Sequence, residues 1–104
     1  MQHYYRLTVP TTLGTAPAPA DLVEALRAQI KRAFAVAFGG YTETPANGGW
    51  LNADGELVEE PVYVIEAAFE IADDDLVWRL ARTIKARLEQ EAVMIHKDLE
   101  VFLV

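Results

Sequence analysis

The chain has 104 residues, 52% of them hydrophobic, and its nine basic and sixteen acidic residues leave a formal charge of −7. That length and apolar content suit one domain, residues 1–104, with a core that needs no disulfide or metal staple. Cysteine is absent, which excludes a disulfide framework, a thiolate zinc site, an iron–sulfur cluster and a cysteine nucleophile; serine is absent too, which removes the commonest hydroxyl nucleophile.

In chain order, His3, Tyr5, Leu7 and Val9 alternate with Tyr4, Arg6 and Thr8, the period of a half-buried strand over residues 2–9. The following Pro, Thr and Ala stretch, residues 10–20, is too irregular for an element and reads as a connecting loop. A helix opens near Pro19, with Asp21 and Glu24 complementing its positive end. Leu22, Leu26, Ile30, Phe34 and Phe38 recur every four residues along it, and Gly39–Gly40 ends it.

Residues 41–44 and 50–52 predict a second strand interrupted at Pro45–Gly49, and Asn52–Gly55 a tight turn. Residues 56–70 form a long third strand with Pro61 near a bulge or an unpaired edge. A second helix starts at Asp73–Asp75 and buries Val77, Leu80, Ala81, Ile84 and Leu88. The remainder is strand-like, with Lys97–Asp98 as the turn of a terminal hairpin. The order βαββαβ, with or without an extra C-terminal strand, predicts an α+β, ferredoxin-like two-layer sandwich: an antiparallel sheet with both helices on one face.

Charge is unevenly spread. Residues 39–72 carry seven acidic residues and no basic one, so this segment alone equals the net charge of the chain. That balance weighs against direct nucleic-acid binding, where Lys and Arg supply most of the affinity, and suits contact with a basic protein surface. Glu43, Asp54, Glu56, Glu59 and Glu60, with Trp50 as aromatic anchor, are the candidate partner-binding residues. The bland reading of the same residues is a solvated rim that protects strand edges.

Both faces of the third and last strands are partly apolar. Val62, Val64, Phe102 and Val104 cannot all share the helix-covered face with their neighbours and are expected to be covered by a second copy in a homodimer, through the sheet face or the terminal-strand edge. Tyr4, Tyr41, Tyr63, Glu66 and His96, together with Trp50, are the residues that would line a ligand pocket if two such sheets enclosed one, as in dimeric α+β barrels. His3 and His96 have no neighbour at metal-ligand spacing, and neither glycine pair opens a helix as a phosphate cradle would. No catalytic residue, metal or cofactor is assigned. Trp78 reads as core-edge packing. No run reaches the roughly 18 apolar residues of a membrane span, and the N-terminus lacks the apolar core of a signal peptide, so a cytoplasmic protein without membrane contact is expected.

The runs FGGYT, GGW and DGELVEEPV, followed by a terminal EAVMIHKDLEVFLV, resemble a pattern of small uncharacterised bacterial, phage and plasmid proteins. The likeness covers Phe38–Val64 and the last fourteen residues. It implies a ferredoxin-like fold and residence on a mobile element, and supplies no catalytic residue. The first functional expectation is thus a non-enzymatic interaction module whose acidic hairpin masks a basic surface, as an anti-CRISPR-like anti-defence inhibitor would. The alternative is a small ligand binder or enzyme of the dimeric α+β barrel kind.

Overall fold

A computed structural model describes residues 2–104. Its elements are β1 (His3–Pro10), β2 (Thr12–Leu13), β3 (Ala16–Pro17), α1 (Ala20–Phe38), β4 (Thr42–Leu51), β5 (Leu57–Phe69), α2 (Asp74–Arg87), β6 (Met94–Lys97) and β7 (Glu100–Leu103). Five strands form one antiparallel sheet in the order β4-β5-β1-β6-β7, and β2 and β3 make a separate ribbon. The protein is an α+β, ferredoxin-like two-layer sandwich with its sequence-predicted extra strand in place as β7.

The alternation in β1 sends Tyr5, Leu7 and Val9 to the helix side, and the register carries that face across the sheet: Leu7 lies opposite Ile65 on one side and Ile95 on the other. Leu26, Ile30, Phe34 and Phe38 of α1 and Val77, Leu80 and Ile84 of α2 close the core from above. Gly39 ends α1 with φ 83°, a left-handed conformation in which glycine has no Cβ to strain, and its N–H donates to the Ala35 carbonyl. The α2 N-terminus is capped by Asp73, whose side chain accepts from the Leu76 N–H at 3.1 Å. Pro19 is the residue before the first turn of α1 and makes no side-chain cap.

Two local expectations need correction. The Pro/Thr/Ala stretch is ordered by the β2–β3 ribbon, which is tied to the end of α2 by Gly14 N–H donating to the Leu88 carbonyl and Gln90 Nε2 donating to the Thr12 carbonyl. Two-residue strands have no alternation to read. Strand β4 is also continuous through Pro45–Gly49. It is an edge strand, so a proline can sit in it without breaking an inner ladder. Pro61 in β5 is placed by the same logic. Thr11 Oγ1 donates to the Pro61 carbonyl at 2.6 Å, so the Pro61 nitrogen points the same way, to the side where β1 has already ended.

That ending divides the molecule. Beyond the Pro10–Val62 pair, β5 has a ladder partner only in β4, and residues 47–51 and 57–61 run on as a two-stranded arm. Asn52 closes the arm's tip, its Oδ1 accepting from the Asp54 and Glu56 N–H groups. Gly48 in the arm is needed for close approach: a Cβ there would lie 3.2 Å from a Val62 methyl. Charge is divided too. Arg27, Lys31, Arg32, Arg79, Arg82, Lys85 and Arg87, seven of the nine basic residues, lie on the two helices, while residues 47–61 hold four acids and no base. Among the described residues, no helix is long and apolar enough to cross a membrane.

Candidate functional site on the open sheet face

The sheet face away from the helices is defined by the same registers. Thr42, Glu66, Arg6, His96 and Val101 form one row across all five strands, and Thr44, Val64, Thr8, Met94 and Leu103 lie on the same side. At the centre, the Tyr4 hydroxyl donates to Glu66 Oε2, and Arg6 Nε and Nη2 approach that same oxygen at 3.4 Å each. Arg6 Nε also donates to the Tyr4 hydroxyl oxygen at 3.0 Å. All these contacts fall on Oε2, so Glu66 Oε1 keeps its acceptor capacity while the side chain stays only 25% exposed. Burial, and then the Glu66 carboxylate, push the Tyr4 hydroxyl above its ordinary pKa, so it remains a donor at neutral pH.

His96 presents its ring to Tyr4 edge-on, 5.7 Å between centroids, and its Nε2 lies 2.9 Å from the Asp98 carbonyl. Asp98 in turn accepts from the Tyr4 N–H and adopts φ 52° in the β6–β7 turn. The turn residues are therefore Asp98–Leu99, one position later than Lys97–Asp98, because Lys97 is drawn into the ladder opposite Glu100. Lys97 reaches over the helix side to Asp74, which also accepts from the Tyr5 hydroxyl. Lys97, and then Tyr5, hold the Asp74 carboxyl below its ordinary range. Within the cluster, an uncovered carboxylate oxygen stands beside two aromatic rings, with the apolar side chains of Val64 and Met94 next to them on the same face. Such a surface can hold a cationic group by charge and a planar one by stacking.

The sequence-derived sets are split by the fold. Tyr4, Glu66 and His96 come together, but Tyr63 lies on the helix side under the Arg27 guanidinium, 3.6 Å from its ring centre. Tyr41 lies just before β4, in a groove with Lys31 and Arg32 of α1. Arg6 completes the cluster although it was not among the candidates; its position between Tyr4 and Thr8, on the strand's non-core parity, was the available signal.

Of the acidic set, Glu43 turns to the helix side and receives Arg27 through two bonds of 2.8 Å and Lys31 at 3.3 Å. The Arg27 contact holds its carboxyl below the usual range. Glu60 is buried, its Oε2 accepting from the Thr11 N–H at 3.1 Å. Asp54, Glu56, Glu59 and Trp50 are exposed on the arm.

The four-residue self-association surface does not exist as one patch. Ile95 faces the core and pairs with Phe102, so Phe102 packs on Trp78 at 5.0 Å and Val104 joins the helix side; Val62 and Val64 belong to the other face, and Val62 is already buried. Val101 and Leu103 take the open side instead. His3 stands apart from the cluster, 3.6 Å from Asp98 on the helix-side parity. Among the described residues, no group of three or more His, Asp or Glu side chains is placed to hold a metal ion.

No protein-family model matches the chain, and no curated protein sequence does. Solved structures do. A phage SAM lyase in complex with S-methyl-5'-thioadenosine superposes with a TM-score of 0.74 at 16% identity, over 99% of this chain and 88% of that one. A phage SAM lyase in the apo state gives 0.70 at 19% identity, over 98% and 87%. The periplasmic divalent cation tolerance protein CutA from Archaeoglobus fulgidus gives 0.56 at 9% identity, over 96% and 84%. The likeness is one of fold.

Proposed function

We propose that this protein binds a small cationic nucleoside of the S-adenosylmethionine type on its open sheet face, and acts on it as a lyase. The observation that carries this reading is the Tyr4–Arg6–Glu66–His96 cluster, a carboxylate with one unoccupied oxygen set among aromatic rings on a face no helix covers. A sulfonium brings a positive charge for Glu66 and an adenine for the rings. It also carries its own leaving group, a neutral thioether that needs no general acid. The protein's task is then to orient the ligand's own carboxylate against the side-chain carbon that bears the sulfur, so that a C–O bond forms as the C–S bond breaks and a lactone and the neutral thioether nucleoside are released; neither serine, cysteine nor a metal is required. The architecture shared with a lyase structure that holds S-methyl-5'-thioadenosine supports the choice of ligand class. The test is incubation with S-adenosylmethionine and chromatography of the products. S-methyl-5'-thioadenosine formed by the parent and lost in Glu66→Gln supports the proposal; no product, and no thermal shift with either nucleoside, sinks it.

A second reading rests on the arm. Trp50, Leu51 and Leu57 are exposed beside Asp54, Glu56 and Glu59, the composition of an anchor that meets a basic protein surface, as an anti-defence inhibitor would. Glu60 is no part of that surface, since it is spent on the Thr11 N–H. In this reading Glu56→Lys with Glu59→Lys abolishes partner binding, and unchanged binding removes the electrostatic contribution.

A further inference from the structure

We infer that the acidic arm of one copy docks on the helix layer of a second copy of this chain. The inference builds on the reading of the arm as a docking element and names its partner. The helix layer offers a receiving surface that the core does not explain. From Ala33 to Phe38, α1 is apolar at every position, so it has no polar side to give to solvent. Val36 is 78% exposed. Beside it a trough of about 370 Å³ runs between α1 and the first turn of α2, lined by Arg32, Ala33, Val36, Ala37 and Leu76 among others. Arg79 stands one turn beyond Leu76 on α2. Arg32 and Arg79 are exposed and, among the described residues, make no ion pair.

The arm is the complement of that trough in both respects. Leu51 and Leu57, cross-strand neighbours on one face of the arm and both exposed, match the apolar floor, and Glu59 on that same face, with Glu56 at the tip, matches the two arginines. The arm is also the part of the sheet least able to stand alone, because a two-stranded ribbon without a third strand or a helix is marginal in water. Since the arm is continuous with β4 and β5 of the body sheet, it cannot fold back onto its own helices, so the contact joins different molecules. Arm to helix layer is a head-to-tail contact, which closes a ring or propagates as a chain.

Charge reversal tests this directly. Sedimentation of the parent chain at low ionic strength should show concentration-dependent association that weakens from about 0.05 to about 0.5 M salt. Glu56→Lys/Glu59→Lys and Arg32→Glu/Arg79→Glu should each associate about tenfold or more weakly. An equimolar mixture of the two variants should associate again, because one supplies an intact arm and the other an intact trough, and the chain carrying all four changes should recover too. All positions are exposed, so the fold is preserved, which circular dichroism checks. Association that ignores both reversals overturns the inference, as does a parent that stays monomeric. In the monomeric case a lysine decamer, titrated while the Trp50 fluorescence is followed, separates the two failures. A response means that the arm docks on a basic partner other than this chain; no response removes the docking reading of the arm as well.

Discussion

The body and the arm of this protein are built from the same two strands under different conditions. Over residues 42–46 of β4 and 62–69 of β5, as far as the Ala46–Val62 pair, the two strands are joined to β1 and lie beneath α1, and Ile65 and Ala67 are buried there. Past Val62 the same strands keep their ladder but lose the third strand, and Leu51 and Leu57 are left in solvent. Hydrogen bonding alone therefore does not distinguish structural from functional parts of the sheet. Cover does: the body derives its stability from two-layer burial, whereas the arm and the open face keep side chains available for contact.

The largest difference should appear in core truncation. Leu7→Ala or Ile65→Ala, each at a position with no exposed surface, should cost about 2–5 kcal/mol, while Leu57→Ala on the arm should stay within about 0.5 kcal/mol. Urea unfolding measures both, and equal effects would erase the division. Next in size is the Glu43 tie between β4 and α1. Glu43→Gln removes the charge that Arg27 and Lys31 share, with an expected loss of about 1.5–3 kcal/mol.

This tie also sets an acid limit. Because the folded-state pKa values of Glu43 and Asp74 are depressed, the stability they contribute is present above the ordinary carboxyl range and lost as the pH falls through it toward the depressed values. Thermal melts of the parent should weaken with acid below about pH 4, and Glu43→Gln should show a shallower dependence. A smaller effect belongs to Gly48→Ala. Its new methyl meets a Val62 methyl at 3.2 Å where the arm leaves the body, so a loss of about 1 kcal/mol, the lower end of the overpacking range, is expected. Hydrogen exchange would sharpen this comparison: the N–H groups of Leu7 and Ile95 should exchange only on global unfolding, and those of the arm faster.

The sequence made the body legible because its periods are long and undisturbed. The four-residue recurrence from Leu26 to Phe38 and the alternation from Tyr5 to Val9 both describe buried faces, and the Asp73 cap and the Gly39 stop are local chemistry. Other features depended on register or topology. That Phe102 faces Trp78 follows from the Asp98–Leu99 turn, which shifts the turn by one position from Lys97–Asp98 and fixes the face of each residue in β7. Glu43 and Glu60 looked like members of one acidic surface because they are neighbours of acids in sequence. Their partners, Arg27, Lys31 and Thr11, are at least a dozen residues away. The open-face cluster was partly legible: Tyr4, Glu66 and His96 were candidates, but Tyr41 and Tyr63 left the set once the strands were paired, and Arg6 entered it.

In the proposed function, small-molecule chemistry belongs to the open face of the body and not to the arm. Backbone and side-chain NMR shifts on titration with S-adenosylmethionine and with S-methyl-5'-thioadenosine test it residue by residue. Shifts are expected to centre on Tyr4, Arg6, Glu66 and His96, with Trp50 and Glu56 to Glu59 unmoved, and the response should be lost in Glu66→Gln. Shifts confined to the arm, or none at saturating nucleoside, would contradict it.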